Sequence, residues 1–206
     1  MRPAESPDPP RTTAGDEYAD RLVDLQTVWW KRLLPVQAPY RWNLRRLKPG
    51  FTLDIGCGLG RNLAHLKGNG VGVDHNPALV AVARERRLTA YTTGEFPTSE
   101  HAIPERFDTV LAAHLVEHMR RPEAVETLAS YMPYLRPGGQ AILITPQERG
   151  FAADATHVEF AGFDEVREVC GALGLEVTRA YSFPFPRRFG RLFVYNEFVT
   201  VAHKSP

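Results

Sequence analysis

From residue 51 onward, short apolar runs alternate along the chain with amphipathic patterns of helical period. This alternation is typical of βαβ units, which build a parallel sheet covered by helices. The predicted strands are residues 51–55, 70–73, 88–92, 108–113 and 140–145. The predicted helices between them are residues 61–67, 77–86 and 123–135.

The last third of the chain predicts a different kind of strand pairing. The Pro137-Gly138-Gly139 sequence should break the chain before the fifth strand, and a helix is expected at 163–171. Apolar runs at 175–181 and 192–202 can then pair as an antiparallel hairpin, a common addition to a parallel sheet. The sequence therefore predicts an α/β fold with a seven-stranded, mostly parallel sheet and helices on both faces.

Three segments follow from the pattern at the N-terminus. Residues 1–14 are rich in proline and poor in apolar side chains, which favours a flexible tail. Residues 15–48 form a helical segment, in which apolar residues between Leu22 and Leu33 recur at helical spacing until Pro35 and a second short helix covers 41–47. The core domain is expected at residues 49–206.

A glycine-rich loop lies where the first predicted strand turns into a helix. Such a turn lies in the crevice where doubly wound sheets bind ligands, and glycine lets a ligand approach the backbone closely. The spacing from Asp54 is D-x-G-x-G-x-G, and Arg61 stands where a dinucleotide fingerprint needs its third glycine. An acid before the glycines suits an ammonium or sulfonium better than a pyrophosphate, and Asp74, at the end of the next strand, can bind ribose hydroxyls.

Four motifs in order make the chain similar to the class I S-adenosylmethionine-dependent methyltransferases, whose fold is Rossmann-like. They are LDIGCGLGR, GVDHN, FDTVLAAHLVEHM and LRPGGQAILITP. The resemblance implies S-adenosylmethionine as cofactor, with the glycine loop around its methionine part, Asp74 at the ribose, His75 against the adenine and the Ala113 carbonyl at the amino group. The cofactor-binding residues that it implies are Asp54, Gly56, Cys57, Gly58, Gly60, Asp74, His75, Gly94, Glu95, Ala113 and His114.

One part of the chain departs from the family pattern. Relatives often carry an acidic residue that contacts the adenine amine, whereas this chain reads Thr92-Thr93-Gly94-Glu95. Thr93 or Glu95 could make that contact, and an ordinary polar loop is an equal alternative.

Histidines follow the fourth predicted strand. On a helical turn, His114, Glu117 and His118 share one face, and two imidazoles with a carboxylate can hold a divalent metal. Ubiquinone-pathway O-methyltransferases, which the chain resembles, have a Glu-His pair here that is associated with a divalent cation, but they carry an acidic residue where this chain has His114. We therefore assign no metal and expect Glu117 and His118 to orient the turn by hydrogen bonds.

His157 lies on the loop after the fifth strand, which faces the substrate in this fold. Its imidazole can accept a proton from an acceptor hydroxyl, so His157 is the first catalytic candidate and His118 is the second. The alternative is that His157 only positions its loop, because methyl transfer from a sulfonium often needs alignment alone.

Aromatic and basic side chains flank the core. In related folds the N-terminal helices cover the cofactor crevice as a lid, for which Trp42 is the better candidate, while Trp29 belongs to the helix core. Cations near the lid and in the loop at 183–191 could pair an acidic substrate group or the cofactor carboxylate, although a solvated face is preferred for most of them. These cations are Arg41, Arg45, Arg46, Lys48, Arg187, Arg188 and Arg191.

Composition narrows the function classes. The 206 residues carry 25 Lys and Arg against 24 Asp and Glu, a net charge of +1, so no broad basic surface predicts nucleic-acid binding. Two cysteines without paired spacing, no long apolar run and no signal-peptide pattern favour a cytoplasmic protein without a membrane partner.

The sequence therefore predicts methylation of a small organic acceptor, with oxygen favoured over nitrogen or carbon. The alternatives are a nicotinamide-dependent oxidoreductase, and a protein that binds the cofactor without turnover. The acceptor and the oligomeric state are left open.

Overall fold

A computed structural model describes residues 37–206. Its centre is one seven-stranded sheet with the spatial order β3-β2-β1-β4-β5-β7-β6. All neighbouring pairs from β3 to β5 are parallel, and β7 is antiparallel to both β5 and β6. The strands are β1 (Thr52–Ile55), β2 (Gly70–Asp74), β3 (Ala90–Thr92), β4 (Phe107–Ala113), β5 (Leu135–Pro146), β6 (Leu175–Phe183) and β7 (Glu197–Lys204).

Helices connect the parallel strands and cover the sheet on both faces, as the sequence predicts. Every residue of β1 and β2 is buried, because parallel strands covered on both faces have no solvated side. The α-helices are α1 (Ala38–Arg46), α2 (Arg61–His65), α3 (Pro77–Glu85), α4 (Arg121–Ala129), α5 (Glu148–Phe151) and α6 (Phe163–Ala172).

Two separate clusters of apolar side chains hold the helices to the sheet. Leu128 of α4 and Val166 of α6 pack on one face of the sheet. Leu44 of α1 packs on the opposite face, against Leu111 and Ile142 of the central strands. The central strands are therefore fixed from both sides, and their carboxyl ends form one rigid edge at which a site can be built.

Several predicted boundaries were wrong. The Pro137-Gly138-Gly139 sequence does not precede β5 but lies inside it, where the pairing shifts from Phe107–Leu135 to Thr109–Gln140. The extra residues on β5 bulge out of the ladder of hydrogen bonds. Pro137 has no N–H to donate to a neighbouring strand, and it is tolerated here because the bulge is not paired.

Other corrections concern helix and strand ends. The helix predicted at 123–135 begins at Arg121 and ends at Ala129, and a short 3-10 turn at Met132–Tyr134 follows it. The strand predicted at 192–202 begins only at Glu197. The predicted tail, the first lid helix and Trp29 lie outside the described residues.

Candidate active site

The glycine loop connects β1 to α2 at the carboxyl edge of the sheet. Gly56, Gly58 and Gly60 all have φ between +51° and +77°, a region that side chains disfavour. A Cβ on Gly60 would lie 2.4 Å from Leu88 Cδ1, whereas a Cβ on Gly58 would meet no atom within 4 Å. The loop is therefore packed on its inner side and open at Gly58, where a ligand can reach the backbone.

Neighbouring backbone anchors this loop. The amides of Gly56 and Cys57 both donate hydrogen bonds to the Val73 carbonyl of β2, at 2.8 and 3.1 Å. The Cys57 side chain points behind the loop, because a Cβ on Gly72 would lie 2.6 Å from Cys57 Sγ. Burial raises the pKa of the Cys57 thiol. Cys57 therefore contributes its backbone to the loop, while its unreactive thiol packs inside.

Asp54 is a fully buried acid at the end of β1. Its Oδ1 is 3.5 Å from Asn62 Nδ2, and its Oδ2 has no hydrogen-bond partner among the described residues. Burial raises the pKa of this carboxyl to about 7. Leaving a buried carboxylate oxygen unpaired is costly, so the site fits a ligand that brings a hydrogen-bond donor or a positive charge.

Asp74 ends β2 and binds the loop from the other side. Its Oδ2 accepts a hydrogen bond from Gly58 N at 2.8 Å, and its Oδ1 accepts one from Asn76 N at 2.9 Å. A carboxylate has about four acceptor positions, so two backbone bonds leave it capacity for ribose hydroxyls. The structure thus gives Asp74 a second task that the sequence did not predict, which is to fix the open part of the glycine loop.

The predicted adenine contacts lie after β2 and β3. His75 is half exposed beside Asp74, with Nδ1 3.5 Å from Asp74 Oδ1. Glu95 Oε2 accepts hydrogen bonds from Arg84 at 2.6 Å and from Thr92 N at 2.8 Å, and these bonds lower its pKa. The Glu95 carboxylate is therefore already hydrogen-bonded to α3 and to its own turn. Thr93 and the exposed Gly94 are the remaining candidates in this loop for an adenine contact.

The end of β4 carries an ion cluster. Ala113 is buried, and His114 follows it in the left-handed region with φ 57°. The His114 ring lies between two acids, with Nε2 2.9 Å from Glu197 Oε1 and Nδ1 3.3 Å from Glu117 Oε1. Burial alone would lower the pKa of His114, but the two glutamates outweigh burial and raise it to about 9. The His114 side chain therefore ties β4 to β7 as an imidazolium.

Glu117, His118 and His157 form a second cluster beside the first, with one ligand atom of each residue within 4.8 Å of the others. Glu117 is fully buried, and neither of its carboxylate oxygens has a hydrogen bond from the described residues. His118 Nδ1 is 3.1 Å from Thr156 Oγ1, and His157 Nδ1 is 2.8 Å from the Phe151 carbonyl. Both rings thus use Nδ1 for orientation and keep Nε2 available.

This second cluster changes the predicted grouping. His114, Glu117 and His118 do not share one helical face, because His114 precedes the 3-10 turn Val116–His118 in a left-handed conformation. Burial lowers the pKa of His118, so its neutral ring offers a lone pair. The neutral His118 ring, the His157 ring and the buried Glu117 carboxylate are ligand types that suit a divalent cation, whereas the sequence analysis assigned no metal here.

Glu197 and Thr156 are the residues that sequence reasoning missed. Glu197 begins β7 and was placed in the middle of a predicted strand, which hid its position at the carboxyl edge. Thr156 is buried, and its Oγ1 forms a hydrogen bond with Nδ1 of His118, which is 38 positions away in the sequence. No spacing signal connects either residue to its partner.

Helix α1 lies on a face of the sheet, and its first turn reaches the same edge. The Tyr40 hydroxyl donates to the Tyr195 carbonyl at 2.7 Å, and its ring meets Phe183 edge to face. Trp42 is 57% exposed and stacks on Phe183, with Arg46 above it. The predicted lid role of Trp42 stays a prediction, because the rest of the segment lies outside the described residues.

The strand order, the acid-bordered glycine loop on the first βα turn and the acid at the end of β2 together define the class. The chain has the fold and the ordered motifs of the class I S-adenosylmethionine-dependent methyltransferases, and this similarity supports S-adenosylmethionine as its cofactor. The family described as "Methyltransferase domain" matches residues 52–139, which contain the glycine loop, Asp74 and the segment from His114 to His118.

Curated relatives carry related names. The chain is 32% identical over 138 residues to a tRNA U34 carboxymethyltransferase of Pseudoalteromonas translucida, a match that covers 60% of this chain and 39% of that protein. It is 29% identical over 143 residues to a ubiquinone biosynthesis O-methyltransferase of Xanthomonas euvesicatoria, covering 61% of this chain and 59% of the relative. The match thus spans less than two thirds of either relative.

Solved structures share the fold. A S-adenosylmethionine-dependent methyltransferase from Archaeoglobus fulgidus superposes with a TM-score of 0.59 at 20% identity, covering 80% of this chain and 93% of that one. Magnesium protoporphyrin IX methyltransferase from Synechocystis, with S-adenosylhomocysteine bound, gives 0.64 at 15% identity, covering 94% and 97%. Among the described residues, no helix has the length and apolar character that a membrane crossing requires.

Proposed function

We propose that this protein transfers a methyl group from S-adenosylmethionine to an oxygen atom of a small organic acceptor. The observation that carries the proposal is the buried, unpaired Asp54 Oδ2 beside a glycine loop that is open at Gly58. An acid in this position attracts a cationic ligand and repels a pyrophosphate, so it favours a sulfonium donor with an amino group over a dinucleotide.

The glycine loop and Asp74 are proposed to hold the cofactor, which when bound supplies a methyl group on a positively charged sulfur. Asp54 pairs the ligand's ammonium, Asp74 accepts from ribose hydroxyls, and Gly58 gives the backbone the room to approach. The Ala113 carbonyl and the residues after β3 line the remaining sides of the crevice.

The second cluster is proposed to handle the acceptor. His157 accepts the acceptor's hydroxyl proton at Nε2, because its Nδ1 is occupied by the Phe151 carbonyl and the ring stacks on Phe151 with centroids 5.1 Å apart. The bound cofactor would supply the methyl group to the acceptor oxygen, and its sulfonium would become a neutral thioether as the proton passes to His157. His118, 4.8 Å from His157 between ring centroids, orients the base.

A divalent cation is a second candidate for activating the acceptor, and Glu117 Oε2, which is buried without a hydrogen-bond partner among the described residues, favours it. A cation held by Glu117, His118 and His157 would lower the pKa of a bound hydroxyl without any base. Chelation separates the two mechanisms, since a base at His157 works in metal-free protein.

A nucleoside in RNA is a second candidate acceptor, because several curated relatives are named tRNA U34 carboxymethyltransferases. The balanced charge of this chain, with 25 basic and 24 acidic residues, favours a small acceptor instead.

The test is a methyl-transfer assay with radiolabelled S-adenosylmethionine on the full chain, using a panel of phenols, catechols and unmodified tRNA. Transfer to a phenolic oxygen supports the proposal. Transfer to tRNA alone contradicts the small-molecule assignment. Retention of S-adenosylhomocysteine with no labelled product from the panel contradicts turnover. Uptake of NADH instead of S-adenosylhomocysteine would identify an oxidoreductase.

A further inference from the structure

An arginine-rich loop joins β6 to β7 beside the candidate active site. Residues Arg187–Arg191 form a 3-10 turn, and the side chains of Arg187, Arg188 and Arg191 line a cavity of about 440 Å³. We call these three side chains the arginine cradle. A cavity of this size is typical of small-molecule sites, whereas an RNA backbone would need a longer basic track.

The charges in the arginine cradle do not balance. Arg187 makes a two-pronged hydrogen bond to the Glu148 carboxylate, with 2.8 Å between Nη1 and Oε2. Arg191 is 80% exposed, and its Nε approaches the same carboxylate only to 3.9 Å. Arg188 lies above the ring of its neighbour Phe189 and forms no ion pair with the described residues. Glu148 thus pairs with Arg187 and lies near Arg191, while Arg188 has no acidic partner among the described residues, which leaves a local excess of positive charge.

Buried hydrogen bonds hold the loop in one shape. Asn196 is fully buried, accepts from Phe185 N at 2.9 Å and donates to Gln147 Oε1 at 3.0 Å. Gln147, also fully buried, donates to Ser182 Oγ at 2.7 Å. The 3-10 turn packs directly on this network, because a Cβ on Gly190 would lie 1.9 Å from Gln147 Oε1. A rigid support of this kind pre-organises cations for a ligand.

The arginine cradle also lies on the element that holds the candidate base. Arg187 binds Glu148 at the start of α5, and Phe151 at the end of this short helix accepts the His157 hydrogen bond. The loop's other end reaches Tyr195, whose carbonyl accepts from Tyr40, and then Glu197 in the ion cluster. Cradle and base are therefore parts of one connected structure at the carboxyl edge of the sheet.

We propose that the arginine cradle binds an acidic group of the methyl acceptor, a carboxylate or a phosphate, and so selects an anionic acceptor. This inference rests on the proposed function, because it takes the bound anion to be part of a methyl acceptor. A guanidinium pairs with carboxylates and phosphates through two parallel hydrogen bonds. Arg187 already forms such a pair with Glu148, whereas Arg188 and Arg191 do not form a close ion pair among the described residues.

The experiment measures binding by calorimetry on the full chain saturated with S-adenosylhomocysteine. The probes are 4-hydroxybenzoate for a carboxylate, phenyl phosphate for a phosphate, and 4-hydroxybenzamide as the neutral match. We expect at least one anionic probe to bind about tenfold more tightly than the amide. The preference should disappear in the double variant Arg188→Ala/Arg191→Ala and return in part in Arg188→Lys/Arg191→Lys.

Arg167→Ala is the matched control, because Arg167 is an exposed arginine of α6 paired with Asp164. It should keep the anion preference of the unaltered protein. Wild-type protein without a preference for either anion, or a double variant that keeps the preference, would overturn the proposal. A single-stranded RNA oligonucleotide that binds through the same arginines when neither probe is preferred would overturn it in favour of a nucleic-acid surface. Failure to bind S-adenosylhomocysteine in the first place would instead refute the proposed function.

Discussion

The two sides of the candidate site are built in different ways. On the cofactor side, backbone turns that are local in sequence do most of the work, and the glycine loop from Gly56 to Gly60 meets Asp74 through a bond between residues 16 positions apart. On the acceptor side, side chains converge from distant segments, and His114 meets Glu197 across 83 positions. The comparison teaches that the proposed cofactor site depends on local turns, whereas the proposed acceptor site depends on contacts between distant segments.

Removing the Asp74 carboxylate should have the largest effect on the cofactor side. Asp74→Ala loses its bond to Gly58 N and the proposed ribose contacts, and charged hydrogen bonds contribute about 1.5–3 kcal/mol each. The dissociation constant for S-adenosylhomocysteine should rise at least about a hundredfold, measured by calorimetry. Asp164→Ala, which removes an exposed acid of α6, is the control and should leave binding unchanged. Unchanged affinity in Asp74→Ala would remove Asp74 from the site.

His157→Ala tests the acceptor side. If His157 accepts the hydroxyl proton, its loss should lower kcat about a hundredfold, as is usual for a general base, and leave cofactor affinity unaltered. His203→Ala is the matched control, since His203 lies on β7 and its ring contacts the Thr178 hydroxyl, away from the second cluster. Wild-type turnover in His157→Ala would dispose of the base. Activity lost on chelation and restored by a divalent cation would transfer the role to a metal.

The pH dependence of cofactor binding should separate the two sides further. The Asp54 carboxyl, with its pKa near 7, is charged above that pH and protonated below it. The ammonium group of S-adenosylhomocysteine prefers the charged form of Asp54, so its affinity should fall about tenfold between pH 8 and pH 6. The folding stability of the ligand-free protein should change with pH in the opposite direction to the binding affinity. Because the pKa of Asp54 is raised in the folded protein, its contribution to stability falls as the pH rises towards 7. Asp54→Asn should bind weakly with no pH dependence; a retained dependence would assign the effect to another group.

Glycine substitutions give the smallest and most local contrast. Gly72→Ala would place a Cβ 2.6 Å from Cys57 Sγ behind the loop and should cost about 1–3 kcal/mol of unfolding free energy. Gly171→Ala in α6 meets no atom within 4 Å and should be neutral or stabilise by about 0.5–1 kcal/mol. Denaturant unfolding of both variants measures the difference. Equal stabilities would mean that the loop's support is less tightly packed than the structure indicates.

The same contrast explains what the sequence could predict. The alternation of apolar runs predicted the seven strands, their mostly parallel order and the closing antiparallel pair, since burial on both faces leaves a strong local pattern. The sequence also placed Asp54 and Asp74 at one edge of the sheet, because both acids lie at the ends of neighbouring parallel strands; that this edge holds the cofactor stays a prediction. Both features depend only on a strand and the turn that follows it, so they can be predicted from a short stretch of sequence.

The acceptor side left weaker signals. His118 and His157 were singled out separately, but their pairing depends on Thr156, whose hydroxyl reaches His118 from a loop 38 positions away. Glu197 was hidden inside a predicted strand, because the apolar character of Leu192 and Val194 continued the strand pattern although both side chains are exposed. The pattern of residue types records burial, and it misleads where apolar side chains are left at the surface.

The most direct test of the central claim is calorimetry of the full chain with S-adenosylhomocysteine and, separately, with NADH. The account predicts that one S-adenosylhomocysteine binds per chain and that NADH does not bind. Binding of NADH with no uptake of S-adenosylhomocysteine would contradict it.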